Sequence, residues 1–138
     1  MASTVFFSWT DRMSVKSQEI DDQHKQLIGF LNDLYEAFMN RTHKEQVGII
    51  IDKMADYASY HFDTEERYFA AFNYAAQESH IKEHTDFRKK VDEFIQKYHN
   101  YNEALTYDVV NFLRNWLQKH IMESDQRYVD CFERNGVK

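Results

Sequence analysis

Proline is absent from this chain of 138 residues, and glycine occurs only three times. Few residues can therefore interrupt a helix or form the tight turns that sheets require. Apolar residues instead recur at steps of three and four in four successive segments, a pattern typical of helices that bury one face. These stripes include Leu27 and Leu31 in segment A, Met54 and Phe69 in segment B, Phe87 and Val91 in segment C, and Leu113 and Leu117 in segment D. The sequence predicts an all-α fold.

Short connections near residues 40–44, 73–77 and 99–104 separate the four segments. They carry Asn40, Thr42, Asn73, Asn100 and Asn102, residue types that favour turns and helix caps. Because short links join antiparallel neighbours, we predict an up-down-up-down four-helix bundle. We expect one domain over residues 1–138, with an N-terminal arm at 1–17 that carries Trp9 and a bundle at about 18–134.

Composition excludes several classes of partner. A formal net charge of −6 argues against nucleic acid and against anionic membrane surfaces, because both are bound mainly through clustered Lys and Arg. No apolar run approaches the roughly 20 residues of a membrane span. The single cysteine, Cys131, cannot form an internal disulfide, and the start of the chain does not resemble a signal peptide. We therefore expect a cytoplasmic protein, and we expect it to be a monomer.

Seven polar side chains stand on the buried stripes. They are His24 in segment A, His61 and Glu65 in B, His80 and His84 in C, and His120 and Asp125 in D. Burial of one such group without a partner costs about 1–3 kcal/mol. Each signal alone has a simpler explanation, since a single core histidine or an i, i+4 pair is often just hydrogen bonded. Seven such residues on the buried faces of four helices require one common explanation.

Five buried imidazoles would repel one another when protonated, and when neutral they would lack a balance of donors and acceptors. Metal ions satisfy all of them. Imidazole and carboxylate ligands without thiolate suit iron, zinc, copper or nickel, and seven ligands are too many for one ion. His120 and Asp125 are five residues apart, about 140° around an α-helix. They must reach a shared site from two edges of the helix, or across an irregularity such as a π-bulge.

Four sequence motifs resemble those of the bacterial hemerythrins. They are Ile20-Asp21-Asp22-Gln23-His24-Lys25, His61-Phe62-Asp63-Thr64-Glu65-Glu66, His80-Ile81-Lys82-Glu83-His84, and Trp116-Leu117-Gln118-Lys119-His120-Ile121 followed by Asp125. The resemblance covers the chain from Trp9 to the end of segment D, and all seven ligand positions carry the expected residue types. Lys16 stands where many relatives have glycine and Ala75 where many have proline, which leaves those two loop conformations open.

The resemblance implies two iron ions with an oxo or hydroxo bridge. One iron takes His80, His84 and His120, the other takes His24 and His61, and Glu65 and Asp125 bridge the pair. The second iron then keeps one open position for reversible dioxygen binding, which implies oxygen transport, storage or delivery rather than an enzyme. The implied oxygen pocket consists of Leu27, Phe62, Trp116, Leu117 and Ile121.

Several alternatives stay open. The site could act as an oxygen or redox sensor, or as a di-iron oxidase or peroxidase, although no Glu-x-x-His motif of the ferritin-like enzymes occurs. A structural zinc site would want four ligands. We interpret Glu66 and Glu83 as surface groups or as partners of ligands, and the Asp21-Asp22-Gln23 run as helix capping. We expect His43 and His99 to be solvated.

Overall fold

The computed structural model describes residues 6–101 and 104–138. Within these ranges the regular elements are helical and none is a strand: α1 Gln18–Met39, α2 Lys44–Phe72, α3 Gln77–Asn100, α4 Tyr107–Lys119 and α5 Val129–Arg134. A π-helical turn, His120–Ser124, and a 3₁₀ turn, Asp125–Tyr128, join α4 to α5 without leaving helical backbone conformations. These pieces form one continuous fourth rod. The predicted all-α class is confirmed.

Contacts between helix ends give the directions of the helices. The Tyr98 hydroxyl near the end of α3 donates a 2.7 Å hydrogen bond to the carbonyl of Lys44 at the start of α2. Phe38 near the end of α1 lies beside Tyr107 at the start of α4, with ring centroids 6.3 Å apart. Tyr68 near the end of α2 contacts Glu19 near the start of α1, whereas Tyr57 lies beside Phe30. In the same way His120 contacts Glu83, whereas Trp116 lies beside Phe87. Chain neighbours are thus antiparallel, and the predicted four-helix bundle is confirmed.

Hydroxyl side chains cap the N-termini of α1 and α4. The Ser17 hydroxyl accepts a hydrogen bond from the Ile20 N–H at the start of α1, and Thr106 does the same for Val109 at the start of α4. Asn73 ends α2 in the left-handed region, with φ of 52°, a conformation that asparagine tolerates better than most residues. Asn102, another of the predicted turn residues, lies outside the described ranges.

Residues 1–5 of the predicted arm also lie outside the described ranges, and the arm packs against the bundle from Phe6 onward. The Phe7 N–H donates to the Asn32 side chain, 2.9 Å away, and the Gln126 side chain donates to the Met13 carbonyl. Lys16, in the segment that leads into α1, has a φ of 61°. Among the described residues, no helix is both long enough and apolar enough to cross a membrane.

Among the described residues, two apolar clusters fill the interior. The larger includes Leu31, Met54 and Leu113, and the smaller includes Phe69 and Phe132 near the other end of the bundle. Along α1, His24 lies between Ile20 of the smaller cluster and Leu27 of the larger, and along the fourth rod Asp125 lies between Ile121 of the larger and Tyr128 of the smaller. The bundle therefore holds a polar layer between two apolar ones.

Candidate metal centre

All seven sequence-predicted ligands lie in the polar layer, and none is more than 3% exposed. Their metal-binding atoms form two groups that share Glu65, and within each group the atoms lie within 4.8 Å of one another. His80, His84 and His120 surround Glu65 on one side and are called here the three-histidine group. His24 and His61 lie near Glu65 and Asp125 on the other side and are called the two-histidine group.

The two carboxylates lie between the histidine groups. Oδ1 of Asp125 is 2.9 Å from Nε2 of His80 and 3.1 Å from Nε2 of His120, whereas its Oδ2 is 2.9 Å from Nε2 of His24. Oε1 of Glu65 is 3.1 Å from Nε2 of His84 and 3.3 Å from Nε2 of His61. Each carboxylate thus faces both groups, which is the arrangement that two bridged metal ions require.

A π-helical turn brings His120 and Asp125 to the same face of the fourth rod. The Asp125 N–H donates to the carbonyl of His120, five residues earlier, and such i, i+5 bonding defines a π-helix. Of the two alternatives that the spacing left open, the local irregularity is the one observed.

Three ligand histidines have a hydrogen-bond partner on the ring nitrogen that points away from the centre. Nδ1 of His61 is 2.7 Å from Oε1 of Gln23. Nδ1 of His84 is 2.8 Å from a Glu66 oxygen, and Nδ1 of His120 is 3.1 Å from a Glu83 oxygen. Because these oxygens only accept, each Nδ1 carries a proton, and Nε2 is the ring nitrogen left to face the centre and to bind a metal ion there.

These contacts show the roles of the polar residues beside the ligands. The capping role expected for Gln23 is wrong, because Ser17 caps α1 while Gln23 holds His61. Asp21 accepts hydrogen bonds from Ser14 and from the Val15 N–H, so it fixes the arm. Glu66 and Glu83 are partners of ligand histidines rather than simple surface groups.

His43 and His99 are exposed, as expected. His43 accepts from the Glu45 N–H at the start of α2, and His99 lies 3.1 Å from an Asp52 carboxylate oxygen. Neither belongs to the polar layer.

The buried carboxylates and imidazoles of the layer shift one another's pKa. Burial by itself raises the pKa of Asp125, but the positive charge of His120 and the close approach of the other imidazoles outweigh burial and hold that pKa well below its ordinary value. Burial and the charge of Asp125 raise the pKa of Glu65, but His61 and His84 lower it by a larger amount. The pKa of Glu65 is therefore also below its ordinary value. Both carboxylates are therefore anionic inside the bundle, where they need cations as partners.

Protonation of the nearby histidines alone does not supply enough cations to balance the two buried carboxylates. Burial lowers the pKa of His120, but the charge of Asp125 raises it more, to about 10, whereas burial keeps the pKa of His61 below its ordinary value. Buried atoms without a hydrogen-bond partner include both ring nitrogens of His24, Nε2 of His61 and His80, and all four carboxylate oxygens of Glu65 and Asp125. Metal ions would satisfy these nitrogen and oxygen atoms together, so the residues fit a two-metal centre.

An apolar cavity of about 20 Å³ lies one helical turn from the two-histidine group. Leu27 and Ala58, three residues from His24 and His61 respectively, are in its wall, and its volume suits roughly one water-sized molecule. Four of the five predicted pocket residues line it: Leu27, Phe62, Trp116 and Leu117. The fifth, Ile121, is fully buried but does not line this cavity.

Aromatic rings join this cavity to the three-histidine group. Phe62 stacks on His84 with ring centroids 4.0 Å apart, and Trp116 stacks on His120 at 4.5 Å. The cavity wall therefore also fixes the planes of two imidazoles.

Comparisons with known proteins agree with this geometry. Residues 15–132 match the family model described as the hemerythrin HHE cation binding domain. The chain is 31% identical over 128 residues to a bacteriohemerythrin of Clostridium acetobutylicum, covering 90% of this chain and 99% of the relative. It is 30% identical over 123 residues to a bacteriohemerythrin of Pseudomonas aeruginosa, covering 89% and 79%.

Solved structures give the same relationship. The crystal structure of a wild-type hemerythrin superposes with a TM-score of 0.86 at 27% identity, covering 91% of this chain and 97% of that one. A point mutant of hemerythrin superposes with a TM-score of 0.88 at 26% identity, covering 93% and 98%.

Proposed function

This chain belongs to the hemerythrin family, and from that premise we propose that it binds dioxygen reversibly at a pair of iron ions. The observation that carries the proposal is the unequal division of the buried ligands. Three histidines lie on one side of the two carboxylates and two on the other. Two ions in this layer would thus differ by one protein ligand, which leaves a position for a small molecule on the two-histidine side.

Named residues would hold each ion. His80, His84 and His120 would bind one iron, His24 and His61 the other, and Glu65 and Asp125 would bridge them. When bound, the iron pair supplies two electrons to dioxygen, one from each ion, and takes them back on release. Five neutral imidazoles with only two carboxylates favour this return, because a set richer in carboxylates would stabilise the ferric state.

The protein's own contribution is to orient the ligands and to exclude water. Gln23, Glu66 and Glu83 hold the Nδ1 atoms of three histidines, so that their Nε2 atoms are fixed before metal binds. Leu27 and Ala58 line an apolar cavity beside the two-histidine group. Water and protons are poorly accommodated there, so a small molecule bound on the two-histidine side would be shielded from both.

We propose binding without turnover, and therefore transport, storage or delivery of oxygen. A sensor or an oxidase could contain the same centre. Exposing the ferrous protein to oxygen and then removing the oxygen distinguishes these functions from oxygen carriage. Ferrous protein should develop a visible charge-transfer band under oxygen, and the band should disappear when oxygen is removed. Direct conversion to ferric protein without a reversible species would contradict oxygen carriage and favour a sensor or an oxidase.

Two matched variants test the residues. His61→Ala removes one of the two histidines on the open side and should abolish the reversible band and lower the iron content below two ions per chain. His99→Ala removes an exposed histidine paired with Asp52 and should leave both unchanged. An unchanged iron content in His61→Ala would contradict the proposed ligand set.

A further inference from the structure

The hydrogen-bond partners of the ligand histidines differ in charge between the two sides of the centre. On the three-histidine side, His84 and His120 each donate from Nδ1 to a carboxylate, from Glu66 and Glu83 respectively. On the two-histidine side, His61 donates to the neutral amide oxygen of Gln23. The two sides of the centre therefore differ in the charge of these hydrogen-bond partners as well as in the number of ligand histidines.

The two carboxylates are held in different environments. An Arg88 nitrogen lies 3.3 Å from the Glu66 oxygen that contacts His84, and the same guanidinium pairs with Asp63 at 2.9 Å. Glu83 contacts His120 and accepts a 2.6 Å hydrogen bond from the Ser124 hydroxyl. Arginine offsets much of the charge of Glu66, whereas no permanent cation is among these partners of Glu83.

A carboxylate that accepts from Nδ1 makes the imidazole more basic, because part of its negative charge passes through the ring to Nε2. An amide oxygen orients the ring in the same way but carries no net charge, and its hydrogen bond is weaker. More negative charge at Nε2 stabilises the more highly charged state of a bound metal ion. Glu83 should therefore act on the ion bound by His120, with Ser124 fixing the carboxylate.

We propose that Glu83, and to a smaller extent Glu66, makes the three-histidine position the one that holds ferric iron more strongly, while Gln23 keeps the two-histidine position easier to reduce. The inference rests on the proposed di-iron centre and assigns Glu83 as a positioning and tuning residue that acts through His120. In one-electron reduction of diferric protein by dithionite, the electron would go to the iron beside His24 and His61. The half-reduced protein would keep its ferric ion beside His80, His84 and His120.

Potentiometric titration of ⁵⁷Fe-loaded protein, followed by Mössbauer spectroscopy, tests the proposal. Glu83→Gln keeps an oxygen beside His120 but removes the charge, and it should raise the potential of the three-histidine iron. The reciprocal variant Gln23→Glu adds charge beside His61 and should lower the potential of the other iron. Glu123→Gln removes the same charge from an exposed residue of the π-helical turn and serves as the matched control.

The outcomes separate this proposal from the proposed function. Two irons per chain with reversible oxygen binding, but equal potentials in Glu83→Gln and Glu123→Gln, would overturn the tuning role alone. A ferric ion beside His24 and His61 in the half-reduced wild-type protein would also overturn the tuning role alone. This measurement needs no variant. Failure to bind two irons in the wild-type protein would overturn both proposals.

Discussion

The backbone N–H of Asp125 donates a hydrogen bond to the carbonyl of His120, five residues earlier. The π-helical turn that this bond closes directs the Asp125 carboxylate toward His24 on α1, while His120 faces His80 and His84 on α3. A regular α-helix would separate the two side chains by about 140°. The π-helical turn is therefore what lets the fourth rod supply both a histidine and a carboxylate to one centre.

Replacing Asp125 by Asn should reduce metal binding without unfolding the bundle. The change removes the negative charge and one of the two oxygens that face opposite histidine groups, and bridging by an amide is weak. We expect fewer than two irons per chain by metal analysis, with a helical circular dichroism spectrum like that of the wild-type protein. Asp130→Asn, an exposed change in the same rod, should keep two irons. Equal metal content in both variants would contradict a bridging role for Asp125.

The apolar cavity gives a second prediction. Leu27→Ala should speed oxidation of the oxygenated protein, because it removes part of the apolar packing that keeps solvent from the two-histidine group. Leu34→Ala is a matched control, since Leu34 is also buried on α1 but does not line the cavity. Both changes should cost about 2–5 kcal/mol of folding free energy. If both variants oxidise at the same rate, the cavity does not protect the bound oxygen.

Removal of iron should lower the thermal stability of the protein. Without metal, anionic Glu65 and Asp125 are buried with oxygens that lack hydrogen-bond partners. A ligand that binds only the folded state at 100 times its dissociation constant stabilises it by about 2.7 kcal/mol. We expect chelated protein to melt at a lower temperature by circular dichroism, and ferrous iron added under nitrogen to restore the original value. Identical melting curves would show that metal does not complete the fold.

Lys16 should be replaceable by glycine with a gain in stability. Its φ of 61° lies in the left-handed region, which costs a residue with a Cβ about 1–2 kcal/mol, more than the roughly 0.5–1 kcal/mol of added backbone entropy in glycine. Lys16→Ala removes the same exposed ion pair with Glu133 but keeps the strain. Urea unfolding should rank Lys16→Gly above both wild type and Lys16→Ala. A less stable Lys16→Gly protein would contradict strain at this position.

The two helical glycines should respond differently to alanine. A Cβ added at Gly29 in α1 meets nothing within 4 Å, whereas at Gly48 in α2 it meets the His99 ring at 3.0 Å. Alanine is favoured over glycine inside a helix by about 0.5–1 kcal/mol. We expect Gly29→Ala to gain about this much in urea unfolding and Gly48→Ala to gain less or to lose stability. Equal gains would mean that the His99 ring moves aside freely.

Sequence reasoning found the fold because periodicity along one helix is a local property. The apolar stripes through Leu31 and Leu113 require buried faces wherever the helices pack. It also found the polar layer, because His24 and Glu65 interrupt stripes that are otherwise apolar. The sequence does not predict the conformation at Lys16, since a backbone angle in a loop depends on what the arm packs against.

Pairings between helices were harder to predict. Gln23 lies 38 residues before His61 and hydrogen bonds to it only because α1 and α2 pack antiparallel, and no local pattern marks that contact. Its position directly before a candidate ligand was the one available signal. Glu66 and Glu83 also stand directly beside candidate ligands, Glu65 and His84 respectively. Position in the sequence alone cannot distinguish a partner of a ligand histidine from an exposed surface residue.

Diffraction at the iron absorption edge from crystals of iron-loaded protein tests the central claim most directly. We predict two anomalous peaks per chain, one beside His80, His84 and His120 and one beside His24 and His61. Glu65 and Asp125 should lie within bonding distance of both peaks. A single peak, or iron bound away from this polar layer, would contradict the two-metal centre.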